Sequence, residues 1–198
     1  MKKALLVLGV LVLFAISASA QMPSKPFSLY AGGGMTMPMS PDAFKDMQKT
    51  GYHGMVGIGF NAMPALQVIG KIEYHAMAAD NSIYSLMLST AENDIKGGTF
   101  TPLMFGADAR YAFSLPAAPI APFVIAGAGM ARLSYSDVEW TGGTMSFDSE
   151  SKMYWNVGGG FEFKAGPAAS LFVEARYVSI ATDGEATSML PISLGIKF

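Results

Sequence analysis

From residue 26 to the end of the chain, apolar side chains recur at every second position, the period of a β-strand with two unlike faces. In Tyr52–Asn61, Val56, Ile58 and Phe60 alternate with His53, Met55, Gly57 and Gly59. In Leu66–Met77, Leu66, Val68, Ile72 and Tyr74 alternate with Gln67, Lys71, Glu73 and His75. Phe100–Phe113 sets Leu103, Phe105, Ala107, Ala109, Tyr111 and Phe113 against Asp108 and Arg110. Pro26–Met35, Ala121–Tyr135, Lys152–Phe163, Ala168–Val178 and Ser188–Phe198 behave alike, giving eight candidate strands. Their connections alternate in length. Thr36–Gly51, Ala78–Thr99, Ser136–Ser151 and Ser179–Thr187 are long, whereas Ala62–Pro64, Ser114–Ile120 and Lys164–Pro167 are short and carry the breakers Pro64, Pro116, Pro119, Gly166 and Pro167. Long loops at one rim and tight turns at the other are the plan of an up-and-down barrel. Pro41–Lys49 is expected to form a short helical turn.

The first twenty residues follow another pattern. Lys2 and Lys3 precede an apolar stretch, Ala4–Ile16, and the small residues Ala18-Ser19-Ala20. This is the layout of a secretory signal peptide, so residues 1–20 are expected to be removed and 21–198 to form one domain. No later run approaches the roughly 18 apolar residues of a transmembrane helix. With no cysteine among 198 residues, disulfides, thiolate metal sites and a cysteine nucleophile are excluded. A formal charge of −2 without a basic stretch argues against a nucleic-acid partner.

Charge placement decides what the two faces meet. Ten charged residues fall within the strands: Lys71, Glu73, Asp108, Arg110, Arg132, Lys152, Glu162, Glu174, Arg176 and Lys197. All are expected opposite the bulky apolar set. A soluble lipocalin-like barrel would obey the same parity with its apolar face inward. Three features favour a membrane instead. The polar face is rich in glycine (Gly32, Gly34, Gly57, Gly59, Gly106, Gly158, Gly160, Gly195), which suits a crowded interior. Phe27, Phe60, Phe113, Phe123, Phe163 and Phe198 fall at the short-turn ends of the apolar face, and Tyr52, Tyr74, Tyr135, Trp155 and Tyr177 toward the long-loop ends, as two aromatic girdles. The last strand ends on an apolar-face aromatic. The expected fold is an all-β, eight-stranded antiparallel up-and-down transmembrane β-barrel in the cell outer membrane.

The ending of Met189–Phe198, with Gly195, the alternating set Ile192, Leu194 and Ile196, and terminal Phe198, resembles the C-terminal signal read by the outer-membrane barrel assembly machinery. Together with the export signal, eight strands and four long loops, the chain resembles the OmpA transmembrane domain and the OmpX/Ail-like family of small bacterial barrels. That resemblance implies embedding among outer-membrane lipid and lipopolysaccharide. With nothing after Phe198, it implies no peptidoglycan-binding domain.

Inside such a barrel there is room for side chains and little else. Lys71, Arg110, Arg132, Arg176 and Lys197 are expected to pair there with Glu73, Asp108, Glu162 and Glu174, either as a rigid polar plug, which the interior volume favours, or as the lining of a narrow pore. Centring the β-hairpin on Met63 puts His53 opposite Glu73, with His75 one inward step away. Two imidazoles and a carboxylate suit Zn²⁺, Ni²⁺ or acid–base work; the plainer reading is a histidine hydrogen-bonded to Glu73. Ser134, Ser170 and Ser193 are inward and scattered, so no nucleophile faces lipid. Gly32-Gly33-Gly34 and Gly158-Gly159-Gly160 precede no helix and are no phosphate loops. The loops hold eleven acids (Asp42, Asp46, Asp80, Glu92, Asp94, Asp137, Glu139, Asp148, Glu150, Asp183, Glu185) against Lys45, Lys49 and Lys96. Such a rim suits divalent cations or a basic surface partner, or simply stays solvated. Loop methionines, including Met35, Met37, Met39 and Met47, would add an adaptable surface or pack over the mouth. The expected role is structural or surface-interacting through four extracellular loops, without enzymatic activity or cofactor. The alternatives are a narrow pore or hydrophobic-ligand conduit, and a lipid A-modifying enzyme.

Overall fold

The computed structural model describes residues 26–113, 120–166 and 168–198. The expected signal peptide, Met1–Ala20, and the turn prolines Pro116, Pro119 and Pro167 lie outside the described residues. The strands in chain order are β1 (Phe27–Ser40), β2 (Gly51–Asn61), β3 (Leu66–Ala76), β4 (Lys96–Gly97), β5 (Leu103–Ala112), β6 (Ile120–Leu133), β7 (Val138–Trp140), β8 (Gly143–Met145), β9 (Glu150–Lys164), β10 (Ser170–Ile180) and β11 (Thr187–Lys197). Eight of them, β1-β2-β3-β5-β6-β9-β10-β11, form a closed antiparallel barrel. β11 returns to β1 with Tyr30 opposite Lys197 and Met35 opposite Ile192. Beyond them the Leu29 and Phe198 amides exchange backbone hydrogen bonds of 3.1 and 3.0 Å. Closure leaves no strand edge unpaired, which is what lets a sheet sit in hydrocarbon.

Most of the outer wall follows the period-two reading. Phe27, Phe113, Phe163 and Phe198 face out near the short-turn rim, and Tyr52, Tyr74, Trp155 and Tyr177 near the other. β1 extends past Met35 to Ser40, pairing Thr36 with Pro191 and Pro38 with Met189. Met35, Met37 and Met39 therefore belong to the wall and not to a loop. β6 has the opposite phase from the expected one: Phe123, Ile125, Ala131 and Leu133 are buried inside, while Val124, Met130 and Arg132 face out. Both faces of IAPFVIAGAGMARL are apolar or small, so the hydrophobic alternation carries no phase there. Tyr135 lies beyond the strand and packs on Phe100 and Phe147 at centroid distances of 4.6 and 5.4 Å.

The interior is layered. Tyr30, Met55, Ile69, Phe123 and Phe172 form an apolar floor at the short-turn end. Met77, Phe100, Met104, Ala131, Leu133, Tyr154, Val178, Ile180 and Met189 form an apolar layer under the long loops, and the charged residues lie between. Large side chains fit because their cross-strand neighbours are glycines. Phe172 stands opposite Gly195, which stands opposite Gly32, and a Cβ on Gly195 would overlap the Phe172 ring. Tyr154 in the same way lies across Gly129 and Gly106.

The long loops fold over the mouth. The expected turn after Pro41 is helix α1 (Asp42–Met47), which drives Phe44 onto Phe100 with ring centroids 5.3 Å apart. The second loop holds helix α2 (Asn81–Leu88) and a 3₁₀ turn, Glu92–Asp94. The third is a β7-β8 hairpin that adds β4 to make a three-stranded sheet. Ala79, Tyr84, Ile95 and Val138 are buried between them, with Met47, Leu88, Trp140 and Phe147 packed around. Asp80 caps α2 by accepting from the Ser82 amide at 3.1 Å. Asp94 ties the second loop to the third, accepting from the Thr141 hydroxyl at 2.6 Å and the Thr141 amide at 3.1 Å.

Two outcomes follow from these contacts. Gly195→Val should destabilise the barrel by about 1–3 kcal/mol or more through overpacking against Phe172, seen as a lower urea midpoint for the compact, heat-modifiable form in SDS gels. The Thr141 hydrogen bonds hold the Asp94 carboxyl below the usual carboxylate range, with Thr90 adding to them. A depressed folded-state value means that this tie is present above the ordinary carboxylate pKa and is lost as pH falls through the lowered one. The protection of the Thr141 amide, measured against its intrinsic exchange rate, should therefore fall in acid in the native protein, and at neutral pH in Asp94→Ala.

Candidate functional site

Alternation along β3, β5, β9, β10 and β11 aims their charges at the barrel axis, where they form two stacked ion-pair networks. Arg176 grips Glu73 with both terminal nitrogens, Nη1 donating to Oε2 at 3.1 Å, while its Nε lies 2.6 Å from Glu174 Oε1. Lys71 Nζ bridges Glu73 at 3.2 Å and Asp108 at 2.5 Å. Asn156 donates to Asp108 Oδ1 at 2.9 Å, reaching across Gly127 on the strand between. Toward the floor, Glu162 receives Arg110 at 2.7 Å and Lys197 at 2.7 Å. The Arg110 guanidinium lies 3.7 Å from the Phe123 ring centroid and donates to the Tyr30 hydroxyl at 3.2 Å. Tyr30 hydrogen-bonds Gln67, which donates to Asn61 at 2.6 Å.

Arg132, expected in this network, is not in it. It is exposed on the outer wall, because β6 has the opposite phase from the one the sequence suggests. The correction improves the balance: four cations, Lys71, Arg110, Arg176 and Lys197, meet four anions, Glu73, Asp108, Glu162 and Glu174. In a low-dielectric interior a neutral, fully paired set is tolerable where one leftover charge is not.

The histidine cluster also differs from expectation. The hairpin turn is centred one residue later, with the Met63 and Leu66 amides and carbonyls closing it, so His53 stands opposite His75 and not Glu73. Glu73 is committed to Arg176 and Lys71, and the three do not converge as a metal site; among the described residues no group of three or more metal-ligating side chains gathers. The imidazoles instead stack at 5.1 Å, and both Nδ1 atoms reach the Thr36 hydroxyl, at 3.0 and 2.9 Å. One hydroxyl proton cannot serve both, so one ring accepts from Thr36 and the other donates to it. Ser193, Gly34, His53 and His75 lie on one row across β11, β1, β2 and β3. Since Gly34 presents no side chain, Ser193 Oγ meets His53 Nε2 at 2.8 Å. This is nucleophile-and-base spacing, which sequence order conceals because the partners are 140 residues apart. Ser193 is only 1% exposed, so no substrate reaches it from the wall.

The lumen is filled. The cavity among Tyr30, Met55, Lys71, Asp108, Arg110 and Phe172 has a volume of about 10 Å³, room for one water. At the mouth, Lys152 holds Glu150 at 3.1 Å and Asp183 at 2.8 Å, and Lys49 lies 3.7 Å from Asp80. Asp42, Asp46, Glu92, Asp137, Glu139, Asp148 and Glu185 remain exposed. Gly195 makes room for Phe172, and Phe198 is 53% exposed on the wall at the β1–β11 seam.

Because Arg176 is the buried centre of a triad with Glu73 and Glu174, removing it alone should cost far more than removing all three members. Arg176→Met alone should lose about 3–5 kcal/mol, whereas Arg176→Met with Glu73→Leu and Glu174→Leu should recover most of it, measured by urea unfolding in lipid vesicles.

Comparison with known proteins agrees with this architecture. Residues 8–198 match the outer membrane protein beta-barrel domain family. No curated protein sequence matches the chain. Among solved structures, Neisserial surface protein A superposes with a TM-score of 0.62 at 16% identity, covering 87% of this chain and 96% of that one. A major outer membrane protein from Thermus thermophilus gives 0.54 at 14% identity, with 87% and 97% covered. Ail, the attachment invasion locus protein of Yersinia pestis, gives 0.53 at 16% identity, with 88% and 99% covered. The chain belongs to the outer membrane protein beta-barrel domain family and is an integral protein of the outer membrane.

Proposed function

We propose that this barrel is a rigid, non-conducting and non-enzymatic mount for a folded extracellular cap, and that it acts in surface interaction through the acids of that cap. The carrying observation is the combination of a filled lumen with loops that share their own apolar core. A pore needs a continuous aqueous path, and the paired charges, the apolar floor and the layer around Phe100 and Met104 occupy it. The same packing weighs against a hydrophobic-ligand conduit. A lipid A-modifying enzyme needs its nucleophile within reach of the outer leaflet, whereas the Ser193–His53 pair faces inward.

Charge selects the partner class. Ail has been solved with the heparin analogue sucrose octasulfate, a polyanion. The exposed acids of this cap would repel such a ligand and favour a basic protein surface. The row Ile192, Leu194, Ile196 and Phe198 along the outer side of β11 fits the assembly signal expected from the sequence.

In the test, the barrel is reconstituted in a planar bilayer and its binding to poly-L-lysine is measured at low and high salt. No discrete conductance is expected, and binding should fall several-fold when Asp137, Glu139, Asp148 and Glu150 are replaced by their amides. Discrete channels, or binding unchanged by the four replacements, would overturn the proposal.

A further inference from the structure

Two charges of the barrel strands lie outside both the lumen network and the mouth: Lys164, which ends β9 at the short-turn rim, and Arg132, which lies on the outer wall. Of the side chains that face outward from the eight barrel strands, Arg132 is the one that carries a charge. Its guanidinium has no ion pair or side-chain hydrogen bond among the described residues, although every charged residue of the lumen is paired. An arginine facing hydrocarbon at mid-membrane would cost about 2–4 kcal/mol, a cost that falls to about 0–1 near the interface. Strand register places it at the interface. Tyr74 stands opposite Leu103, Leu103 opposite Arg132 and Arg132 opposite Ser151, so Arg132 shares a level with the Tyr74 ring of the long-loop girdle. The next outward level toward the membrane centre is Ile72, Phe105, Met130 and Met153, wholly apolar and 45%, 46%, 45% and 65% exposed. The longer loops of outer-membrane barrels are the extracellular ones, so this is the height of the outer-leaflet headgroups.

We propose that Arg132 is a binding site for a phosphate of outer-leaflet lipid A, with the acyl chains lying on Phe105, Met130 and Met153. A guanidinium offers a forked, permanently charged donor set that matches a phosphate monoester, and its stem can rise toward the headgroups while the methionine side chains adapt to irregular chains below. Phosphatidylglycerol shares the phosphate chemistry. The outer-leaflet height and the broad apolar bed beneath one cation favour the multiply acylated glycolipid.

The full-length protein, folded in detergent micelles, is titrated with lipid A 1,4′-bisphosphate, with fully dephosphorylated lipid A and with phosphatidylglycerol, and bound lipid is counted by native mass spectrometry. Wild type is expected to bind the bisphosphate about tenfold more tightly than the dephosphorylated form, the size of a charge-assisted hydrogen bond. Arg132→Gln should remove that preference and Arg132→Lys should retain part of it, each variant first shown to keep its heat-dependent gel mobility. Equal wild-type binding of the two lipid A forms would overturn the proposal without reference to any variant. So would an unchanged preference in Arg132→Gln, or phosphatidylglycerol binding as tightly as the bisphosphate. None of these outcomes bears on the cap, because poly-L-lysine binding reads a different surface.

Discussion

The interior of an eight-stranded barrel is wide enough for its own side chains and no more, and that limit on volume governs the rest of this structure. Three bulky inward rings have been given space by glycines across the strand pair: Gly195 and Gly32 for Phe172, Gly160 for Phe123, Gly106 and Gly129 for Tyr154. Glycines also let side chains two strands apart touch, as Gly34 does for Ser193 and His53 and Gly127 does for Asp108 and Asn156. The glycines that a motif scan would take for phosphate loops are the empty half of a packing pattern.

The same limit sets the electrostatics. With so little space for water, an inward charge must find its opposite among inward neighbours, and four cations meet four anions. Such a lattice resists rearrangement, since moving any one member strands another in a low-dielectric setting. A plugged and braced barrel is poorly suited to gating. Such packing leaves two surfaces open to a partner, the cap above and the wall outside.

Period two and loop-length alternation are enough to read the barrel, its orientation and most inward residues from the sequence, because lipid on one side and crowding on the other make the faces chemically unlike. The reading fails where that contrast vanishes. In β6 the inner face has Phe123 and Ile125 and the outer face Val124 and Met130, so Arg132 and Phe123 both lie on the side opposite to expectation. A one-residue error in the centre of a hairpin moves the cross-strand partner by two, which keeps the face and changes the neighbour; His53 thus gains His75 in place of Glu73. The cap is illegible for another reason. Its strands are two or three residues long, too short to display a period, and its core of Tyr84, Ile95 and Val138 comes from two different loops.

The inverted phase of β6 also bears on how the wall is used. If outward positions were selected only for solubility in hydrocarbon, the extracellular end of β6 would carry another residue like Met130 or Leu103. An arginine there adds nothing to the barrel's own packing and pairs with nothing in it among the described residues. An anionic group at the level of the girdle would give that charge a partner, and under our proposal the leaflet around the barrel supplies it. The lumen achieves neutrality within the chain, whereas Arg132 leaves its charge to be matched by the membrane, which makes the surrounding lipid part of the folded protein's electrostatics.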